Sequence, residues 1–222
     1  MPSRQRNSAR DDILRVFAEM VARNGYAETS IGDVAAVLGL SKGTVVYHFN
    51  SKLELLEEVH LDYIRRGLAQ AHYVLASLPT ASSQLAGIVY ALLKAHRDDR
   101  PATIAFLREI VRFTDGAPKK AVAAPRDAYT SLVRGILSRG MQSGEFRMDD
   151  PELVTFQVFA MCNYTWTWYR PDGRRSIEEI ARSYIRTLLI GLATASSIDQ
   201  DGVDAVIDSA MAAVHSAPTD FS

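Results

Sequence analysis

Lys42, Gly43, Thr44, Tyr47, His48 and Lys52 lie in one short stretch of the chain. Together they have the chemistry to read DNA. An ammonium such as that of Lys42 can donate to guanine O6 and N7, and the Thr44 methyl can touch a thymine methyl. Tyr47, His48 and Lys52 suit phosphates, whose contacts position a protein on DNA without reading sequence. Gly43 lacks a side chain, so the backbone can come close to a groove. Inside a helix a glycine costs about 1 kcal/mol relative to alanine, so a reason for it is expected. The alternatives are a tolerated helix glycine at Gly43 and a solvated surface histidine at His48. Thr29 and Ser30, a little upstream, offer hydroxyl and backbone N–H contacts. Phe49 reads as core.

Two short helices must position these groups. Ser30 is a good N-cap, with Asp33 in capping-box position. Ile31, Val34, Ala35 and Leu38 mark one apolar face. Gly39 suits the left-handed residue that ends a helix. Ser41 can cap the next helix, with Val45, Val46 and Phe49 pinning it to the first. Such a pair, joined by a tight turn, presents its second helix to a DNA major groove.

Ser41-Lys42-Gly43-Thr44-Val45-Val46-Tyr47-His48-Phe49-Asn50-Ser51-Lys52 closely resembles the recognition-helix motif of TetR-family transcriptional regulators. Phe17, Gly25-Tyr26 and Thr29-Ser30-Ile31 match the family upstream, and Lys52 to Leu56 match the start of its fourth helix. The resemblance covers roughly residues 10–58. It implies an all-α fold in two parts. Residues 1–52 would form a three-helix DNA-binding bundle containing the helix-turn-helix. Residues 53–222 would form a helical ligand-binding and dimerisation domain. It further implies a homodimer on double-stranded DNA at a palindromic operator, and a small effector. Repression is the commoner behaviour in that family.

The whole-chain numbers neither add to nor oppose this. At 222 residues, 47% hydrophobic and 23% charged, the composition is that of an ordinary globular protein. A formal net charge of −1 gives no hint of nucleic acid. Arg4, Arg6 and Arg10 make the N-terminal end basic, which fits either a phosphate-seeking arm or a frayed, solvated terminus. Residues 187–222 carry Asp199, Asp201, Asp204, Asp208 and Asp220 with no Lys or Arg, and read as a solvated surface. The single cysteine, Cys162, excludes an internal disulfide and reads as a small buried hydrophobe rather than a reactive thiol. The expected compartment is a reducing cytoplasm. No signal peptide and no membrane span are expected.

Almost every segment reads as helix. Ser8 with Asp11 should open the first, with Ile13, Val16, Phe17, Met20 and Val21 inward and Gly25 closing it. Ser51 with Glu54 should open a long helix ending before Pro79. Further helices are predicted over 82–97, 101–114, from Pro125 to about 143, 151–169, 177–195 and 201–215. Those over 151–169 and 177–195 are apolar on more than one face. One face can pack on its own subunit, and the other then needs a partner chain, giving a dimeric four-helix interface.

The C-terminal region is rich in aromatics, and an apolar cavity between helices is the expected effector site. Tyr90, Phe106, Arg112, Phe159, Tyr164 and Trp168 are its candidate residues, each with core packing as the alternative. His96, Arg108 and Arg112 could orient a ligand. Trp168-Tyr169-Arg170-Pro171-Asp172-Gly173-Arg174, followed by Ser176-Ile177-Glu178-Glu179-Ile180-Ala181, resembles a segment of TetR members linked to fatty-acid and steroid breakdown. Some of those respond to acyl-CoA thioesters. Arg174 and Arg175, before a helix N-terminus, would suit CoA phosphates, or form a solvated turn.

A helical enzyme is the main rival class, and a helical interaction module whose helix-turn-helix is only structural is the second. Glu57-x-x-His60 has the spacing of a di-iron ligand pair, which needs a second copy of the motif. None of His48, His72, His96 and His215 has Glu three residues before it. There is no H-E-x-x-H, no phosphate-binding glycine loop and no nucleophile elbow. No catalytic residue, metal site or cofactor is expected.

Overall fold

The computed structural model describes residues 2–113, 119–192, 194 and 200–218, without the side chains of 2–8, 111, 113, 119, 120, 200 and 201. Its regular structure is helical throughout the described residues. These residues form two compact units, Met1–Ile64 with Asp99–Pro125, and Arg65–Asp98 with Arg126–Ser222. The first unit thus takes in a segment beyond residue 64, whereas the sequence suggested one boundary after residue 52.

In the first unit, α1 (Pro2–Asn24) is followed by α2 (Ile31–Leu38), α3 (Lys42–His48), the start of α4 (Lys52–Ser77) and α6 (Arg100–Glu109). α1 begins at Pro2 rather than at Ser8. Ile13, Val16, Phe17 and Val21 are buried as the periodicity required. Gly25 ends α1 at φ 87°, and Gly39 ends α2 at φ 64°, both left-handed positions where a side chain would strain. Ser30 and Asp33 form a full capping box on α2. Ser51 Oγ accepts the Glu54 N–H, but the Glu54 carboxylate turns to the N–H and Nδ2 of Asn50, so that box is half-formed. Arg10, expected in a phosphate-seeking arm, pairs with Glu58 and lies 5.0 Å above the Phe49 ring. The side chains of Arg4 and Arg6 lie outside the described residues.

In the second unit, α5 (Ala81–Asp98) is the central element, with Leu85, Ala86, Ile88, Val89, Tyr90 and Leu93 buried. Around it lie α7 (Lys119–Gln142, from Arg126 on), α8 (Pro151–Tyr164), α9 (Ile177–Leu192) and α10 (Gln200–His215). α7 starts at Lys119 and passes through Pro125, which was expected to begin it. Proline removes one hydrogen bond without ending the helix, and the turn before it is anchored by the fully buried Val122. α8 tightens into a 3-10 turn at Thr165–Thr167, short of Tyr169, with the hydroxyls of Thr165 and Thr167 bonded back to the carbonyls of Met161 and Tyr164. Gly140 lets Phe146 pack against the α7 backbone, where a Cβ would sit 2.2 Å from the Phe146 ring.

α10 packs on α5 and α9. It buries Val203, Ile207, Ala210, Met211 and Val214. Asp204 and Asp208, read as a solvated surface, pair with Arg186 and Arg182 of α9. Asp199 and Asp220 lie outside the described residues. Leu188 and Leu192 of α9 are buried and line a groove between α8 and α9. Leu153 and Phe156 of α8 and Ile190 of α9 stay exposed. These are the second apolar faces that the sequence assigned to a partner chain. No helix among the described residues is long and apolar enough to cross a membrane.

Candidate nucleic-acid interface

α3 has one buried side and one bare side. Val45 and Phe49 are buried at 0% and 1% exposure. Lys42, Gly43 and Tyr47 are exposed, Thr44 and His48 partly so. Ser41 caps the helix by accepting the Thr44 N–H at 3.0 Å. The Thr44 hydroxyl lies 2.8 Å from Ser41 Oγ, which occupies part of its hydrogen-bonding capacity. The His48 ring meets that of Tyr47 edge-on at 5.4 Å. A Cβ at Gly43 would meet nothing closer than Ser41 Oγ at 3.6 Å, and its φ is not positive. Neither packing nor backbone conformation requires a glycine there. Val46, expected to pin α3 to α2, is 38% exposed and joins the bare side. The miss has a simple cause, since two consecutive residues on a helix point about 100° apart and only Val45 can face inward.

The upstream candidates behave differently. Thr29 is buried, and its Oγ1 donates to the Gly25 carbonyl at 2.9 Å. It belongs to the α1–α2 turn, not to a DNA-facing surface. Ser30 is exposed, with its N–H and hydroxyl both bonded to Asp33. Lys52 Nζ donates to the carbonyls of Tyr26 at 2.7 Å and Ala27 at 3.3 Å, and stands 4.2 Å over the Tyr26 ring. An ammonium has three donors, so one remains for a phosphate.

Residues of α6 and of the 3-10 turn that follows it (Ile110–Phe113) also reach this turn, which nothing local in the sequence signalled. Glu109, 6% exposed, accepts the Tyr26 N–H at 3.0 Å and pairs with Arg112. Burial works against its charge, but the bonds from Arg112 and Tyr26 hold its carboxyl below the usual range. The Arg112 guanidinium lies 4.7 Å over the Tyr26 ring, and that of Arg108 lies against Gly25.

The effector candidates are divided between the two units. Phe106 and Arg112 belong to the first unit, where Phe106 stacks on Tyr63 at 4.6 Å and packs on His60 at 5.1 Å. The other four belong to the second. Tyr90 is buried, its hydroxyl donating to Glu178 at 3.1 Å with its oxygen 2.9 Å from Nε2 of His215. Phe159 meets Tyr129 at 6.1 Å. Tyr164 and Trp168 are 67% and 44% exposed. His96 is buried against the Cys162 carbonyl at 3.0 Å, and Arg108 serves the α1–α2 turn. Burial pushes the Cys162 thiol up to about 12, as befits an inert residue. Arg174 is exposed, and Arg175 pairs with Glu179, which completes a capping box with Ser176.

His60, half of the apparent di-iron pair, is wholly buried, with Nδ1 bonded to the Leu56 carbonyl at 2.9 Å. Desolvation lowers its pKa to about 4, so it is neutral near pH 7.

A short capped helix with a bare polar face, set on a second short capped helix, defines a DNA-binding protein of the helix-turn-helix class. Residues 13–59 match the model for bacterial regulatory proteins of the tetR family, and residues 79–192 match the tetracyclin repressor-like C-terminal domain. The transcriptional repressor KstR2 of Mycolicibacterium smegmatis is 26% identical over 186 residues, covering 83% of this chain and 91% of that protein. The solved structure of the TetR-family regulator PfmR from Thermus thermophilus is 32% identical, with a TM-score of 0.73 over 82% of this chain and 99% of that one. The structure of AibR with isovaleryl coenzyme A and operator DNA is 23% identical, with a TM-score of 0.74 over 81% of this chain and 97% of that one. The chain belongs to the TetR family. It is a DNA-binding transcriptional regulator that acts as a dimer, and not an enzyme.

Proposed function

We propose that this regulator is a cytoplasmic repressor of a palindromic operator, released by a lipid-like effector, with an acyl thioester of coenzyme A as the leading class. The observation that carries the DNA part is the bare face of α3 opposite buried Val45 and Phe49. Lys42 and Thr44 read base edges from the start of the helix. Gly43 lets the backbone approach, and Tyr47 and His48 bind phosphates one turn on. Lys52 adds a phosphate contact with its remaining donor, while Ser30, whose two donors are held by Asp33, serves as the cap that starts α2. The effector class is supported by three things. KstR2 is a repressor, AibR binds isovaleryl coenzyme A, and Trp168–Ala181 resembles regulators of lipid breakdown.

Release requires the effector to bind the DNA-incompetent state more tightly than the DNA-bound one. The test has two stages. Genomic fragments retained by the purified protein should share a palindrome with half-sites about one helical turn apart or somewhat more. Lys42→Ala should relax base preference, while Tyr47→Phe weakens binding to all sequences alike. Titration of acyl-CoAs and free acids against the protein–operator complex should then release the DNA. Retention of the operator at saturating concentrations of every such ligand would remove the effector class and leave the DNA reading intact.

A further inference from the structure

The residue that links α1 to the reading helices is gripped on every side. Tyr26 follows Gly25, whose positive φ turns the chain out of α1. Its N–H goes to Glu109 and its carbonyl to Lys52. The Lys52 ammonium and the Arg112 guanidinium both lie over its ring. A side chain at Gly25 would press on Arg108 at 3.2 Å, so α6 is seated on this turn. From there the chain runs through Thr29, bonded back to Gly25, into the Ser30 cap of α2. Hydrogen bonds are directional, so this grip sets the direction in which α2 and α3 leave the turn. A buried carboxylate is costly to place without partners, and Glu109 spends one of its few bonds on a backbone N–H 83 residues away.

We propose that Glu109 is a positioning residue for operator binding. It touches no DNA, and from α6 it holds the Tyr26 peptide in the orientation that presents α3 to the groove. The proposal rests on the DNA-binding reading above. It follows that α6 belongs functionally to the DNA-reading unit, and that a change in α6 reaches α3 through the α1–α2 turn, with the Tyr26 peptide as its directed link.

Two conservative variants separate reach from charge. Glu109→Gln keeps an oxygen at the same distance to accept the Tyr26 N–H and loses the charge. Glu109→Asp keeps the charge and falls one methylene short. In the full-length dimer, operator affinity should drop about tenfold in Glu109→Asp and much less in Glu109→Gln. Base preference across operator variants should stay that of the wild type in both. Hydrogen-exchange protection of the Tyr26 amide should fall in Glu109→Asp and persist in Glu109→Gln. Circular dichroism at the binding temperature confirms that each variant is folded. Wild-type affinity in Glu109→Asp, or a larger loss in Glu109→Gln than in Glu109→Asp, would overturn the proposal while leaving the DNA reading standing. A wild-type protein that preferred no DNA sequence would overturn both.

Discussion

The turn at Tyr26 in the first unit and the core around α5 in the second are held by different forces. Around Tyr26, side chains of Thr29, Lys52 and Glu109 each make a directed bond to a particular backbone group. Around α5, Leu85, Ile88, Val89 and Leu93 are simply buried among other apolar side chains. Directed bonds fix a pose but tolerate little change. Apolar burial is non-directional and tolerates exchange as long as volume is kept. The DNA-reading unit thus has its strictness where helix orientation matters. The core around α5 has a looser rule, under which side chains can be exchanged as long as volume is kept.

The largest effect should come from the apolar side. Phe146→Ala removes a ring that fills the space above Gly140 and should destabilise the protein by about 3–5 kcal/mol, measured by urea unfolding. Where the variant remains folded, its base preference should match the wild type. A changed preference would break the separation between the two units.

The next effect belongs to His60 in the first unit. Above pH 6.5 the ring is neutral in both the folded and the unfolded chain. Between 6.5 and about 4 the unfolded chain takes up a proton that the buried ring refuses. Stability therefore falls as pH falls, by about 3 kcal/mol across that window. His60→Leu should flatten this part of the curve in thermal unfolding at a series of pH values. An unchanged slope would mean that other groups cause the acid loss.

Smaller again is Ser30→Ala, which removes the α2 cap and should cost about 1 kcal/mol. Its loss of operator affinity should exceed what a stability change of that size explains, because the cap orients a reading helix. Equal, small losses in both would make Ser30 an ordinary cap. The smallest change is Gly43→Ala, with the opposite sign in stability. Nothing in the chain opposes the added methyl, so unfolding free energy should rise by up to about 1 kcal/mol. Operator affinity should fall all the same. A variant both more stable and equally tight would remove Gly43 from the interface.

These contrasts also explain what was legible from sequence. The caps at Ser30 and Ser41, the glycine at Gly39 and the apolar faces of α1 and α2 are local rules, and all appear as read. Non-local bonds carry no sequence signal. Glu145 caps α5 by accepting the N–H groups of Ala81 and Ser82 from the turn that follows α7. Arg108 and Arg112 likewise looked like groups on an apolar helix, free to meet a ligand, and Glu109 was not singled out at all. Lys52 was seen as a phosphate ligand, but its bonds to Tyr26 and Ala27 depend on how α4 meets the α1–α2 turn. Aromatic residues gave the weakest guide, because one ring type serves a core at Tyr90 and an exposed position at Tyr164.

α10 has a practical consequence for anyone dividing the chain. The match to the family's C-terminal domain stops at Leu192, and a designer exchanging sensors between regulators would cut there. That cut discards Val203, Ile207, Ala210, Met211 and Val214. It strips their cover from α5 and α9 and leaves Arg182 and Arg186 without their aspartates. The shortened piece would be a sticky, half-finished module, and a chimera made with it would fail by aggregation before its response to any effector could be measured. The natural joint for transplantation lies after His215.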